Sequence, residues 1–158
     1  APASGSISLK FKQTIRYNGK TYPITQFGNS LDDVLPSAQR SWLGSLDFSN
    51  LPKLTQIHTK SFNYCNYLSS VNLSGCKNLT TIWINAFAGL GSALSTPAHV
   101  IGLENTGLKI IDTSAFADSN ISTIAFPDSL EQIDARAFSG CDNLETVQFG
   151  HYSNPSNL

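Results

Sequence analysis

The chain has 158 residues, of which 41% are hydrophobic and 13% charged, with a formal net charge of −1. The charged share is about half the globular average of about 25%, and Ser, Thr and Asn make up the difference. So neutral a balance excludes a field that gathers nucleic acid or an anionic membrane surface. No apolar run approaches the ~18 residues that a membrane-spanning helix needs. There is no signal peptide and no methionine, so the chain is expected to be a mature or excised fragment.

In chain order, residues 1–5 (Ala-Pro-Ala-Ser-Gly) read as a disordered lead. Ile7, Leu9 and Phe11 alternate with polar residues, the pattern of a strand with one buried face. Two short runs then flank Asn18-Gly19. That dipeptide accepts the positive φ angles of a two-residue hairpin turn, and Ile24 and Phe27 continue the return strand. Ser30 caps a predicted helix from Leu31, with Asp32 and Asp33 facing the positive end of its dipole. Pro36 ends or kinks that helix, or opens a second short one through Trp42, and Gly44 is the stop. Residues 6–44 are therefore predicted to be an N-terminal cap, a β-hairpin plus a short helix. The alternative is a small independent binding domain.

Residues 45–150 carry one pattern repeatedly. Its fullest copy is Leu130, Ile133, Ala137, Phe138, Cys141, Leu144, Val147 and Phe149. The spacing is neither 3.6 nor 2 over any length, as expected of a chain that turns a corner every few residues. Leu54, Ile57, Phe62, Cys65, Leu68, Val71 and Leu73 fall in the same frame, as do Leu79, Ile82, Ala86, Phe87 and Leu90. Another copy is Leu108, Ile111, Ala115, Phe116, Ser119, Ile121, Ile124 and Phe126. The phenylalanines at 62, 87, 116 and 138 are predicted to stack as an aromatic spine. The pairs Leu46/Phe48, Val71/Leu73, Ile101/Leu103, Ile124/Phe126 and Val147/Phe149 are predicted to point inward from short strands. Residues 91–99 are an insertion, and 151–158 form a C-terminal tail.

The frame L-x-x-I-x-x-x-A-F-x-x-C-x-x-L-x-x-V-x-L resembles the BspA-like (Treponema-type) leucine-rich repeat. It is looser where Ser61 replaces Ala and where Leu90 and Ser119 replace Cys. The resemblance implies a right-handed, β-rich leucine-rich-repeat solenoid of about four to five repeats, with 3-10 or short helical corners. It also implies a bacterial cell-surface or secreted module that adheres through its concave face to a protein or glycan on a host or another microbe. A structural spacer within a larger surface protein is the alternative.

On that frame the residue between each inward pair faces outward. The expected partner-binding set is Asp47, Ser70, Asn72, Thr123, Thr146 and Gln148, small neutral or hydrogen-bonding side chains with Gly102 and Ala125 at equivalent places. Five such strands offer only ~200 Å² at the usual strand spacing, against ~800 Å² per partner in a standard interface. Tyr64, Tyr67 and Trp83 are aromatic candidates at an edge, with Trp83 either exposed or tucked under the insertion.

The three histidines fall in different contexts and read as loop residues, with no partner spaced for a catalytic dyad. Asp112 and Asp134 occupy equivalent positions, an acidic ladder that lacks the ligand pattern of known calcium repeats. Cys65, Cys76 and Cys141 read as small buried hydrophobes, with a Cys65–Cys76 disulfide as the alternative. The asparagines of Asn72-Leu-Ser, Asn78-Leu-Thr and Asn120-Ile-Ser read as chance glycosylation matches. The chain is expected to be non-enzymatic, without metal or cofactor.

Overall fold

The computed structural model describes residues 3–27 and 37–150. The predicted helix from Leu31 lies outside these residues, as does the tail from His151. Among the described residues thirteen strands follow in order: β1 Ile7–Lys10, β2 Thr14–Tyr17, β3 Lys20–Pro23, β4 Gln26–Phe27, β5 Leu43–Asp47, β6 Gln56–Ile57, β7 Ser70–Asn72, β8 Thr81–Ile82, β9 His99–Ile101, β10 Ile110–Ile111, β11 Thr123–Phe126, β12 Gln132–Ile133 and β13 Thr146–Phe149. They wind into a β-solenoid. One parallel sheet has the order β1-β5-β7-β9, a second has β4-β6-β8-β10-β12, and β11 pairs with β13 alone. Short strands suffice because each turn rests on its neighbours rather than on its own length.

The inward residues close into a single core. Leu54, Ile57, Leu68, Leu79, Ile82, Leu108 and Ile111 are fully buried. The aromatic spine is present: Phe62–Phe87, Phe87–Phe116 and Phe116–Phe138 stack with centroids 5.5, 5.4 and 5.3 Å apart. It continues towards the N-terminus, where Phe48 packs on Phe62 and Phe11 stacks on Phe48 at 4.8 Å. The polar alternatives in the repeat keep a hydrogen-bonding role. Cys141 Sγ donates to the Phe116 carbonyl at 3.1 Å, and Ser119 Oγ in the equivalent slot donates to the Phe87 carbonyl at 3.1 Å. Ser61 Oγ donates to the His58 carbonyl. All three cysteines are free thiols, so Cys65 and Cys76 are not bridged. Burial pushes both up to about 12.

The corners differ from the helical ones expected. Around each A-F motif the residue before Ala or Ser has a positive φ: Lys60, Asn85, Ser114 and Arg136, at 58°, 53°, 55° and 58°. So does the second residue after Phe, which is Tyr64, Gly89, Asp118 or Gly140. This alternation divides the amides into two sets. Lys60, Phe62 and Tyr64 donate to Ile84, Ala86 and Ala88 in the next turn, while Ser61 and Asn63 donate within their own turn to His58 and Lys60. The corner is thus a third inter-turn ladder, which satisfies backbone groups without a helix. Among the described residues the 3-10 turns are Ser37–Trp42 and Leu103–Asn105.

The N-terminal region is woven into the stack. The Asn18-Gly19 hairpin forms, with φ of 47° and 75° and Thr14 paired to Pro23. Yet β1 pairs in parallel with β5, Leu9 beside Leu46, and β4 pairs in parallel with β6, Phe27 beside Ile57. Residues 7–27 are therefore a further turn of the solenoid with the hairpin inserted between its two strands. Gly44 lies inside β5 rather than ending a helix, and a Cβ there would collide with the Gly5 carbonyl. Gly5 itself donates to the Ser41 carbonyl at 2.7 Å.

The insertion shifts one register. In β9 it is Val100, not Ile101, that pairs with inward Val71, so Ile101 turns outward and is 47% exposed. Gly102, expected on the outer face, is buried with φ 76° and starts the 3-10 turn that returns Leu103 to the core. A Cβ at Gly102 would collide with Ser74, so both the angle and the space require glycine. At the far end Val147 and Phe149 occupy inward positions but stay exposed, at 44% and 53%, because no further described turn lies on them.

Candidate functional site

The outward face of the four-stranded sheet is built by register. Ser8, Ser45, Ser70 and His99 are neighbours in one row, and Lys10, Asp47, Asn72 and Ile101 in the next. Leu9, Leu46, Val71 and Val100 alternate with them towards the core side. The rows are polar except for Ile101. Lys10 Nζ pairs with Asp47 Oδ2 at 2.9 Å. Hydrogen bonding from the Ser49 side chain, with Lys10 and the Ser49 amide adding to it, holds the Asp47 carboxyl down at about 2.

Asp47 and Asn72 also end their strands in the same way. Asp47 Oδ1 accepts from the Ser49 amide at 2.9 Å, and Asn72 Oδ1 accepts from the Ser74 amide at 3.1 Å and the Ser74 hydroxyl at 2.8 Å. Such a side-chain turn two residues on is what short Asx residues do best. The third turn lacks it: Ile101 sits in that register, and the left-handed Gly102 replaces the side-chain turn.

Of the six expected residues, the structure gathers three and separates three. Asp47, Ser70 and Asn72 lie on adjacent strands. Thr123, Thr146 and Gln148 lie on the separate β11–β13 pair, where Thr123 pairs with Thr146 and Ala125 with Gln148. The expected five-strand face is therefore broken after β9, where the 3-10 turn Leu103–Asn105 intervenes and the isolated bridge Ala98–Ile121 stands in place of strand pairing. Sequence reasoning missed Lys10, His99 and Ile101. The Leu9-x-Phe11 alternation matches Leu46-x-Phe48 and was the available signal for Lys10. For His99 and Ile101 the adjacent pair Val100-Ile101 left the frame ambiguous by one residue.

Elsewhere the expected residues serve the scaffold or face solvent. Tyr64 is 61% exposed. Trp83 is half-buried against His58 rather than under the insertion, and His99 is a strand residue rather than a loop one. Asn78 and Asn120 donate to main-chain carbonyls of Pro52 and of Leu94 and Thr96. Asp112 and Asp134 follow adjacent strands, and no three metal-binding side chains converge among the described residues. A depression of about 420 Å³ lies at the C-terminal end, between Leu130, Ile133 and Phe149, away from the four-stranded face.

The family described as "BspA type Leucine rich repeat region (6 copies)" matches residues 39–100. The chain is similar in fold to a leucine-rich repeat protein from Bacteroides ovatus ATCC 8483, with a TM-score of 0.70 and 18% identity. That match covers 91% of this chain and 34% of the other, so the chain spans about a third of that protein's length. A leucine rich cell surface protein from Faecalibacterium prausnitzii A2-165 aligns at 17% identity with a TM-score of 0.34, covering 96% of this chain and 49% of that one. No curated protein matches.

Proposed function

We propose, for a chain whose residues 39–100 match the BspA-type leucine-rich repeat family, that it is a non-enzymatic protein-interaction module of a bacterial cell-surface or secreted protein. It adheres to a protein or glycan on a host or microbial surface. The observation that carries this reading is the two-row face of β1, β5, β7 and β9. There a rigid stack presents Ser45, Ser70, Asn72 and His99 around the exposed Ile101. An apolar anchor ringed by small hydrogen-bonding groups is the composition of a binding surface's centre and rim. Thr123, Thr146 and Gln148 form a second polar patch on the separate β11–β13 pair. The face is small beside the ~800 Å² of a standard partner footprint, so the ligand reaches beyond it onto the 91–98 insertion, where Ser92, Ala93, Ser95 and Thr96 are exposed.

The spacer reading has one observation in its favour: Asp47 and Asn72 already use side-chain oxygens in internal turns. The test is binding of the purified chain to immobilised host-matrix proteins and a glycan panel, beside a Ser70→Arg/Ile101→Arg double variant shown folded by circular dichroism. Saturable binding that the double variant loses supports the interaction module. Binding to nothing, or binding that the variant keeps, moves the spacer reading ahead.

A further inference from the structure

The second sheet carries a different row, independent of the face just described. One residue follows each inward position of β6, β8, β10 and β12: His58, Trp83, Asp112 and Asp134. These strands are hydrogen-bonded neighbours in that order, so the four side chains form one line with rungs ~4.8 Å apart. The His58 ring and the Trp83 indole lie parallel to within 7°, centroids 6.1 Å apart. Trp83 Nε1 donates to Gln56 Oε1 at 3.2 Å, and His58 Nε2 donates to Gln26 Oε1 at 3.3 Å. Both rings are thus tied towards the N-terminal side of the row.

His58 occupies one face of the indole. The next side chain in line, at the end of β10, is Asp112. Asp112 Oδ1 accepts from the Thr113 amide at 2.6 Å, and its Oδ2 has no hydrogen-bond partner among the described residues. Asp134 Oδ1 accepts from the Gln132 amide group at 2.7 Å. Lys109, just before β10, is paired with Glu131 at 2.7 Å. The cations Lys60 and Arg136 stand two residues past the row, at the corner.

We propose that this row docks an arginine side chain of a protein partner. The guanidinium lies flat on the face of Trp83 away from His58, continuing the His58–Trp83 stack. Its edge donates sideways to Asp112, and Asp134, one rung further, adds negative charge without a direct hydrogen bond. A planar cation alone meets both requirements at once, stacking on a ring and hydrogen-bonding sideways to carboxylates. A lysine ammonium satisfies only the charge.

The experiment is a titration of the chain with a short peptide of alternating arginine and glycine at low ionic strength. The two indole N–H signals are followed by NMR and assigned with Trp42→Phe and Trp83→Phe variants. The expected result is a saturable shift of the Trp83 signal with the Trp42 signal unmoved. A matched lysine peptide is expected to bind more weakly, and Asp112→Asn to weaken arginine binding about threefold, the scale of one exposed cation–π or charge contact. Asparagine keeps the acceptor for the Thr113 amide, so that variant leaves the corner intact. The proposal is overturned if Trp83 does not respond, if lysine and arginine peptides are equivalent, or if Asp112→Asn binds like the parent. A response to a neutral oligosaccharide and not to the arginine peptide also overturns it and assigns the row to sugars.

Discussion

Ser119 and Cys141 show what one slot of the repeat asks for. Each is small enough for the interior and each donates to the main-chain carbonyl of the phenylalanine one turn back. Ser119→Cys should therefore be nearly neutral in denaturant unfolding, whereas Ser119→Ala should lose about 0.5–1.5 kcal/mol, one hydrogen bond, because the Leu90 amide still donates to the Phe87 carbonyl. Phe87 lies between two stacked rings and is fully buried, so Phe87→Ala should cost about 3–5 kcal/mol. With Cys65 and Cys76 pushed up to about 12, a thiol reagent near neutral pH should leave both untouched until the chain is unfolded. Asp47 has the opposite sign. Its carboxyl is held at about 2, below the ordinary ~3.9, so it stabilises the fold above that ordinary range and the gain fades as pH falls towards about 2. Thermal melts of Asp47→Asn and the parent should differ near neutral pH and converge at the acid end. These core residues were legible in the sequence because side-chain identity carries them.

At the scale of the element, what the sequence concealed was backbone. Lys60, Asn85, Ser114 and Arg136 share a left-handed conformation but no side-chain chemistry, so the third ladder of the corners left no compositional trace. Arg136 is exposed there, and Arg136→Gly should raise stability by about 0.5–1 kcal/mol by removing the left-handed strain. Gly102→Ala should do the reverse, costing about 1–3 kcal/mol, because the angle is unfavourable and Ser74 blocks the Cβ. The same glycine explains why the sequence pattern points Ile101 inward: V-x-L spacing cannot register an extra residue that the backbone absorbs in a 3-10 turn. The first turn went unrecognised for a related reason. Its two strands, β1 and β4, are separated by a hairpin that breaks the repeat length, so Leu9, Phe11 and Phe27 read as parts of a cap although their partners are Leu46, Phe48 and Ile57.

At the scale of the molecule, one aromatic column runs from Phe11 through Phe48, Phe62, Phe87 and Phe116 to Phe138, and turns through Phe126 to Phe149. Around it the turns present two unlike faces: polar rows with one isoleucine on the β1-β5-β7-β9 side, and an aromatic-to-acidic row on the β4-to-β12 side. The expectation of a solenoid was legible because stacking demands a repeated inward set. The division of the binding residues was not, because it depends on where the strand pairing of the first sheet ends, after β9.

The most direct measurement is a single-substitution surface scan against whichever ligand the chain captures. Ser70→Arg samples the four-stranded face, Thr146→Arg the separate pair of strands and Trp83→Leu the opposite sheet, each checked for folding. A larger loss of binding in Ser70→Arg than in Trp83→Leu is the predicted result. Undiminished binding in Ser70→Arg would contradict the placement of the interaction site on β1, β5, β7 and β9.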